Sequence, residues 1–226
     1  MNVKVQLNLE KQLIWDWPVR LFHWLLVLSF AGAWITADSE RWRLVHVTFG
    51  YTMLGLVVFR LVWGIVGTRH ARFASFVRGP VAILRYARSL LTLSPEPYAG
   101  HNPVGALGVI VLLGLILITA GTGHLIYSNA AGEWAEEMHE AAAGIMLGMV
   151  ILHVIGVTAT SLLHWENLVG AMITGRKIAA PGAAIRWSFL WVAAVMLALV
   201  LGFWWTQWQS AAQIRTAASA LVIKDP

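Results

Sequence analysis

The chain has 226 residues, a formal net charge of +5, 58% hydrophobic residues and only 12% charged ones, against about 25% charged in soluble domains. With thirteen tryptophans and a mean hydropathy of +0.69, this composition excludes an ordinary soluble domain and describes one polytopic membrane bundle. There is no cysteine, so disulfides, thiolate metal sites, iron–sulfur clusters and covalently attached c-type haem are excluded, and in such a chain a basic bias reports topology rather than nucleic-acid binding.

Residues 1–19 are mixed, with Lys4, Lys11 and a Trp15-Asp16-Trp17-Pro18 cluster whose tryptophans suit a membrane interface. No early apolar core precedes a small-residue cleavage site, so a removable signal peptide is not expected. Arg20 to Ala37 is the first apolar run, just long enough to span. A polar turn, Asp38 to Arg43, leads to a second span, Leu44 to Gly67. The polar stretch Thr68 to Asn102 carries Arg69, Arg72, Arg78, Arg85 and Arg88 against one acid, Glu96. Within it, Pro80 to Leu91 reads as a short amphipathic helix on the membrane surface. Pro103 to Tyr127 is the third span, with proline where a helix start tolerates it. Ser128 to Glu140 is an acidic loop with Glu133, Glu136, Glu137 and Glu140. His139 to Leu163 is the fourth span. A loop with Arg176, Lys177 and Arg186 follows, then a fifth span, Trp187 to Trp208, and a polar tail to Pro226.

Loop charges give the expected orientation. The N-terminus, the arginine-rich stretch and the 164–186 loop share one side, and the acidic loop takes the other. The positive-inside rule makes the first side cytoplasmic and, after five spans, the C-terminus periplasmic. Arg215 and Lys224 in the tail mildly oppose this. The expected location is a bacterial inner membrane, with lipid around the bundle.

Eight histidines are present. His70, His101 and His164 fall in loops or at helix ends, and His124 falls near the outer end of span three, where an interfacial hydrogen bond is its ordinary role. His23, His46, His139 and His153 lie in or at the edges of spans, where ionisable groups are costly and are functional candidates. His139 and His153 are fourteen residues apart, roughly 21 Å along a helix and within roughly 40° of the same face. Depth pairs His23 with His153 on the inner half and His46 with His139 on the outer half. Each pair offers two axial nitrogens to a b-type haem, leaving no open coordination position, which suits electron transfer.

On the His46 face lie Gly50, Met53, Val57 and Arg60. On the His139 face lie Ala142, Ala143, Met146 and Val150. Arg43 near the outer pair and Arg20 or Arg60 near the inner one are candidates to neutralise haem propionates. A lone histidine in a span is more often a packing residue, and a proton relay or His/Met ligation through Met53, Met138 or Met146 is open at this level. Zinc is disfavoured because the two pairs are too far apart for one ion.

The segment Trp15-Asp16-Trp17-Pro18-Val19-Arg20-Leu21-Phe22-His23-Trp24 resembles the opening helix of the prokaryotic cytochrome b561 family, which includes b-type subunits of nickel–iron hydrogenases and is similar to the formate dehydrogenase gamma subunit. Residues 59–64, 67–73, 100–105 and 166–177 carry further likeness, so the resemblance covers about 13–178. It implies a four-helix core with two haems b on the same four histidines, and electron exchange with a quinone pool. It also implies a redox partner outside the membrane, such as a c-type cytochrome or a hydrogenase-like subunit. It places a quinone site near Asn102, with His101 assisting proton exchange; a plain helix-capping role for Asn102-Pro103 competes. The expected fold class is therefore an all-α membrane protein: a four-helix transmembrane haem-binding bundle plus a fifth C-terminal transmembrane helix. The expected function is a dihaem transmembrane electron conduit, with superoxide:quinone oxidoreductase and a haem-free membrane anchor as the competing readings. The fifth helix leaves homo- or hetero-oligomeric contacts open.

Overall fold

The structure, a computed structural model, describes residues 10–92, 96 and 98–222, with side chains to residue 211. Lys4, the Arg215 side chain and Lys224 lie outside the described part. Strand β1 (Glu10–Leu13) precedes α1 (Trp17–Ile35). A 3₁₀ turn at Glu40–Trp42 opens α2 (Arg43–Val66). After α3 (Phe73–Phe76) and α4 (Pro80–Leu91) come α5 (Pro103–Tyr127) and α6 (Glu133–His164). The chain ends with α7 (Leu168–Thr174), β2 (Arg176–Ala179) and α8 (Leu190–Val222). Five of these helices are long and apolar enough to cross a membrane. Helices suit that setting because each satisfies its own backbone polar groups. The fold is the expected all-α bundle with a fifth helix, and α4 has the limits read from its proline start.

The helix starts follow local chemistry. Asp16 caps α1 by accepting from the Val19 N–H at 2.8 Å, with Pro18 in the first turn. Asn102 caps α5 in the same way through Gly105 N–H at 2.7 Å, with Pro103 behind it. Both use a side-chain oxygen to satisfy an otherwise orphaned first-turn donor. Two boundaries differ from expectation: α8 starts at Leu190 and continues to Val222, in place of the expected polar tail after Trp208, and the start of α6 also moves. The acidic stretch is not all loop: α6 begins at Glu133, so His139 sits in its second turn rather than at its start. Carboxylates in a first turn are stabilised by the helix dipole, which is why an acid-rich segment winds here.

The bundle is laid out in neighbour order. α1 packs on α2, α2 on α5, and α5 along α6, while α8 lies against α1 and touches α2. Trp204 on α8 donates its indole N–H to Thr52 on α2 at 2.8 Å. The central core is Phe22, Leu25, Met53, Leu56, Val57, Leu113, Ile116, Met146 and Met196. Exposed Val58, Ile65, Val66, Leu152 and Ile155 face outward, as a lipid-immersed surface allows.

A cap closes one end. β1 and β2 pair antiparallel, Glu10 with Ala179 and Leu13 with Arg176. Gly175 has φ of 80°, a conformation glycine adopts at no steric cost, and its carbonyl accepts from both Ile14 and Trp15 N–H groups. Ile14, Trp15, Val19, Trp63, Ala71, Ala171 and Ala179 form a second buried cluster beneath this clasp.

Candidate functional site

Four histidines project from three helices and meet as two pairs. His23 on α1 faces His153 on α6, with ring centres 6.4 Å apart and planes at 54°. His46 on α2 faces His139 on α6, with ring centres 6.1 Å apart and planes at 61°. The depth pairing is the one observed. Two imidazoles binding one iron from opposite sides put their ring centres about 6 Å apart, given about 2 Å for each metal–nitrogen bond. Both pairs fit that span. Neither pair carries a third acidic or thiol ligand: no cluster of three His, Cys, Asp or Glu suited to a metal ion exists among the described residues. Among the described residues each pair offers imidazole donors alone, a set that fits the axial positions of a haem.

Ring orientation adds a second test. His46 Nδ1 donates to the Ala33 carbonyl at 2.9 Å, and His139 Nδ1 donates to the Thr119 carbonyl at 2.8 Å. A carbonyl only accepts, so each Nδ1 carries the proton and each Nε2 keeps its lone pair. Metal-ligating histidines are fixed in this way by a carbonyl behind the ring. Gly123 makes room for one of them, since a Cβ there would stand 3.0 Å from His139 Cε1. The other pair is built differently. His23 Nδ1 is buried without a partner, and its ring meets Trp24 edge-on at 5.0 Å.

Met53 and Met146 pack in the central core, seven residues from His46 and His139 respectively, and Met138 is 48% exposed. Each candidate histidine thus faces a histidine rather than a thioether.

Two of the cationic candidates belong to the capped end: Arg20, one helical turn before His23 on α1, and Arg60, which like His153 is an electrostatic neighbour of His101. Arg20 is buried over the Trp17 ring at 3.9 Å, with Nη2 donating to the Ile173 carbonyl and Nε unpartnered. Arg60 is 3% exposed. Its Nη2 donates to the Ala71 carbonyl at 2.9 Å, and its Nη1 is buried without a partner. Buried guanidinium donors left unpaired are costly, and a carboxylate would satisfy them. Arg43, at the other end, is exposed and loosely paired with Glu40 at 3.9 Å. Asn102 spends its side-chain oxygen on the α5 cap. His101, beside it, packs between Trp15 at 4.8 Å and Phe76 at 4.5 Å, with Nδ1 buried and unpartnered. Burial, with Arg60 and Lys177 nearby, pushes His101 down to about 3 and so holds it neutral. His70 Nε2 donates to the Ala183 carbonyl at 2.7 Å. His124 shares a 2.8 Å hydrogen bond with the Tyr51 hydroxyl. His164 Nδ1 lies 3.1 Å from the Thr160 carbonyl.

Sequence reasoning missed the residue that organises this end. Asp16 is fully buried. Besides capping α1, it accepts from the Trp63 indole at 3.1 Å and the Thr68 hydroxyl at 2.6 Å. It is also the nearby counter-charge of both Arg20 and Arg60. Asp before a helix-opening proline is a cap signal, which the flanking tryptophans masked. Lys177 was missed too. It is 8% exposed, donates to the Tyr98 carbonyl at 2.9 Å and pairs with Glu166 at 3.6 Å; burial lowers it, and Glu166 offsets that.

A membrane-spanning bundle that holds facing imidazole pairs and lacks cysteine is the architecture of a b-type cytochrome. The profile of the prokaryotic cytochrome b561 family matches residues 14–175, and the chain belongs to that family: a multi-pass membrane cytochrome of the haem b class that transfers electrons. Among its relatives is a probable Ni/Fe-hydrogenase B-type cytochrome subunit of Rhizobium leguminosarum bv. viciae, 22% identical over 212 residues, covering 73% of this chain and 88% of that one. The corresponding protein of Azotobacter vinelandii is 24% identical over 213 residues, with the same shares of 73% and 88%. A probable Ni/Fe-hydrogenase 1 B-type cytochrome subunit of Escherichia coli (strain K12) is 26% identical over 149 residues, 54% of this chain and 63% of its own length. No solved structure matches.

Proposed function

We propose that the chain carries electrons through the bilayer on two haems b, between a quinone pool at the His23/His153 end and a redox protein at the His46/His139 end. The observation that carries this reading is the pair of facing imidazole couples, 6.4 and 6.1 Å between ring centres. A haem b bound at each supplies a one-electron iron couple with no open coordination position. His23 and His153 hold one, and His46 and His139 the other. The carbonyls of Ala33 and Thr119 orient the second pair. Arg20 and Arg60 offer unpaired donors to carboxylates at the first, and Arg43 is the cation at the second. His101 and Asn102 stand where a quinone would exchange protons, although the cap claims the Asn102 oxygen.

The names of the relatives support a nickel–iron hydrogenase as the protein partner, with a periplasmic c-type cytochrome as its alternative. Exposed Glu133, Glu136, Glu137 and Glu140 at the start of α6 favour a basic docking face by charge complementarity. With this orientation the His23/His153 end is cytoplasmic, and the membrane is the bacterial inner membrane.

The test is a pyridine haemochrome count on purified protein. Two haems b per chain are expected, with a reduced alpha band near about 560 nm. One haem removes the dihaem reading, and none removes the conduit. His153→Ala is expected to cost one haem and leave the other.

A further inference from the structure

Helix α4 (Pro80–Leu91) lies in the chain between the end of α2 and the start of α5, and its two faces differ. One face is used inside the molecule. Tyr86 is 4% exposed, its ring centre stands 5.6 Å from that of Tyr98, and the helix packs on α5. The other face is bare. Val81, Leu84 and Leu91 are 70%, 53% and 84% exposed, and Arg85 and Arg88 are exposed among them. Steps of three and four residues put all five on one side of the helix. Arg78, exposed just before the helix, donates to the Ser75 carbonyl at 3.2 Å.

The charge on this face is uncompensated. Among the described residues the ion pairs are Arg43 with Glu40 and Lys177 with Glu166, neither of them on α4, and no acid stands in the first turn of the helix. The helix dipole favours a cation only in the last turn, so it serves Arg88, does little for Arg85 and opposes Arg78. Side chains at i and i+3 start roughly 5–6 Å apart, so the guanidiniums of Arg85 and Arg88 can converge on one phosphate through paired N–H donors. The apolar residues select the source of that phosphate. A free anion would leave Val81, Leu84 and Leu91 in water. A phospholipid supplies a phosphodiester and acyl chains together, and a helix that sets arginines beside exposed aliphatics lies in a bilayer interface in this way.

We propose that the outer face of α4 binds an anionic phospholipid, with its phosphate on Arg85, Arg88 and Arg78 and its acyl chains along Val81, Leu84 and Leu91. The lipid fastens α4 to the bilayer and steadies the segment that leads into α5. Nothing in this depends on haem content.

The experiment titrates the purified full-length chain, in a neutral detergent, with phosphatidylglycerol. It reads lipid retained per chain by native mass spectrometry and the thermal unfolding midpoint. Saturable retention and a raised midpoint are expected, because a ligand of the folded state stabilises it by mass action. Phosphatidylcholine with the same acyl chains is expected to bind more weakly. Arg85→Gln with Arg88→Gln is expected to weaken phosphatidylglycerol roughly tenfold or more, with the lipid-free midpoint unchanged. Leu84→Gln with Leu91→Gln is expected to weaken it too. Arg176→Gln with Arg186→Gln removes the same charge from exposed positions outside α4 and is expected to keep the affinity. Equal retention of the two lipids overturns the proposal, as does equal loss in the two double arginine variants. So does a midpoint raised as far by inorganic phosphate alone, which would make this a free-anion site. Polyglutamate that binds through Arg85 and Arg88 while phosphatidylglycerol has no effect would assign the face to an acidic protein and overturn it as well.

Discussion

The two ends of the bundle solve the same problem with different materials. At the acidic end, the His46/His139 rings are aimed by carbonyls of neighbouring helices, Ala33 on α1 and Thr119 on α5. The support is helix backbone and needs no special side chain. At the basic end, His23 and His153 have no such carbonyl. A cap of short elements holds that region instead: β1, β2, α3 and α7 packed around Asp16, Arg20, Arg60, His101 and Lys177. One site is oriented by hydrogen bonds to the scaffold, the other by a buried polar network that must be satisfied as a whole. Side-chain changes should therefore damage the basic end far more than the acidic one.

The largest expected effect tests that contrast directly. Asp16→Ala removes the acceptor of Val19, Trp63 and Thr68 and leaves two buried guanidiniums without their counter-charge. Breaking a buried charge network of this kind costs about 3–5 kcal/mol. Thermal unfolding in detergent should show it as a large drop in midpoint, with a smaller drop for Asp16→Asn, whose amide oxygen can still accept from Val19 N–H. At the acidic end the sharpest perturbation is steric. Gly123→Val places methyl groups against His139, where even a Cβ stands 3.0 Å from Cε1. Overpacking of that sort costs about 1–3 kcal/mol, and the optical change should be confined to one haem. Away from both sites, Trp204→Phe removes the indole donor to Thr52, a loss of about 1 kcal/mol. It should loosen α8 in limited proteolysis and leave the haem absorption unchanged.

The remaining expected effect is a pH dependence. His101 is held down to about 3 from its ordinary value of 6.5, so between those limits the unfolded chain binds a proton that the folded chain refuses. Stability therefore falls as pH drops from about 6.5 toward 3. His70, also lowered by burial, adds the same sign. His101→Phe should flatten the slope of unfolding midpoint against pH in that window, most visibly at its acid end.

Much of the bundle was legible because membrane spans write themselves in length and hydropathy. The four histidines were legible because depth alone tells which can meet. Pro80 marked the start of α4. Three features were hidden, each for a physical reason. The first turn of α6 reads as an acidic loop until the helix dipole is considered. The pairing of Glu10–Leu13 with Arg176–Ala179 joins four-residue strands across more than 160 positions, too short and too distant for any local pattern. Lys177 and Glu166 look like ordinary loop charges, and only the folded cap takes Lys177 out of water. The arginines show an intermediate case: Arg20 and Arg60 stood out as charges in spans, but their unpaired N–H groups required the packing around them.

The β1–β2 clasp has a consequence for the order in which the molecule can be made. Synthesis runs from the N-terminus, so α1 leaves the ribosome first and His23 enters the bilayer early. Every candidate ligand has been added once His153 is in place. Yet the strand that fastens β1 is not made until Arg176–Ala179, and Ile185 and Ser188 then add their own bonds to Leu13 and Trp17. A chain halted at His164 would own all four histidines and lack the latch over one pair. The clasp over the basic end can therefore close only after every candidate ligand has been made.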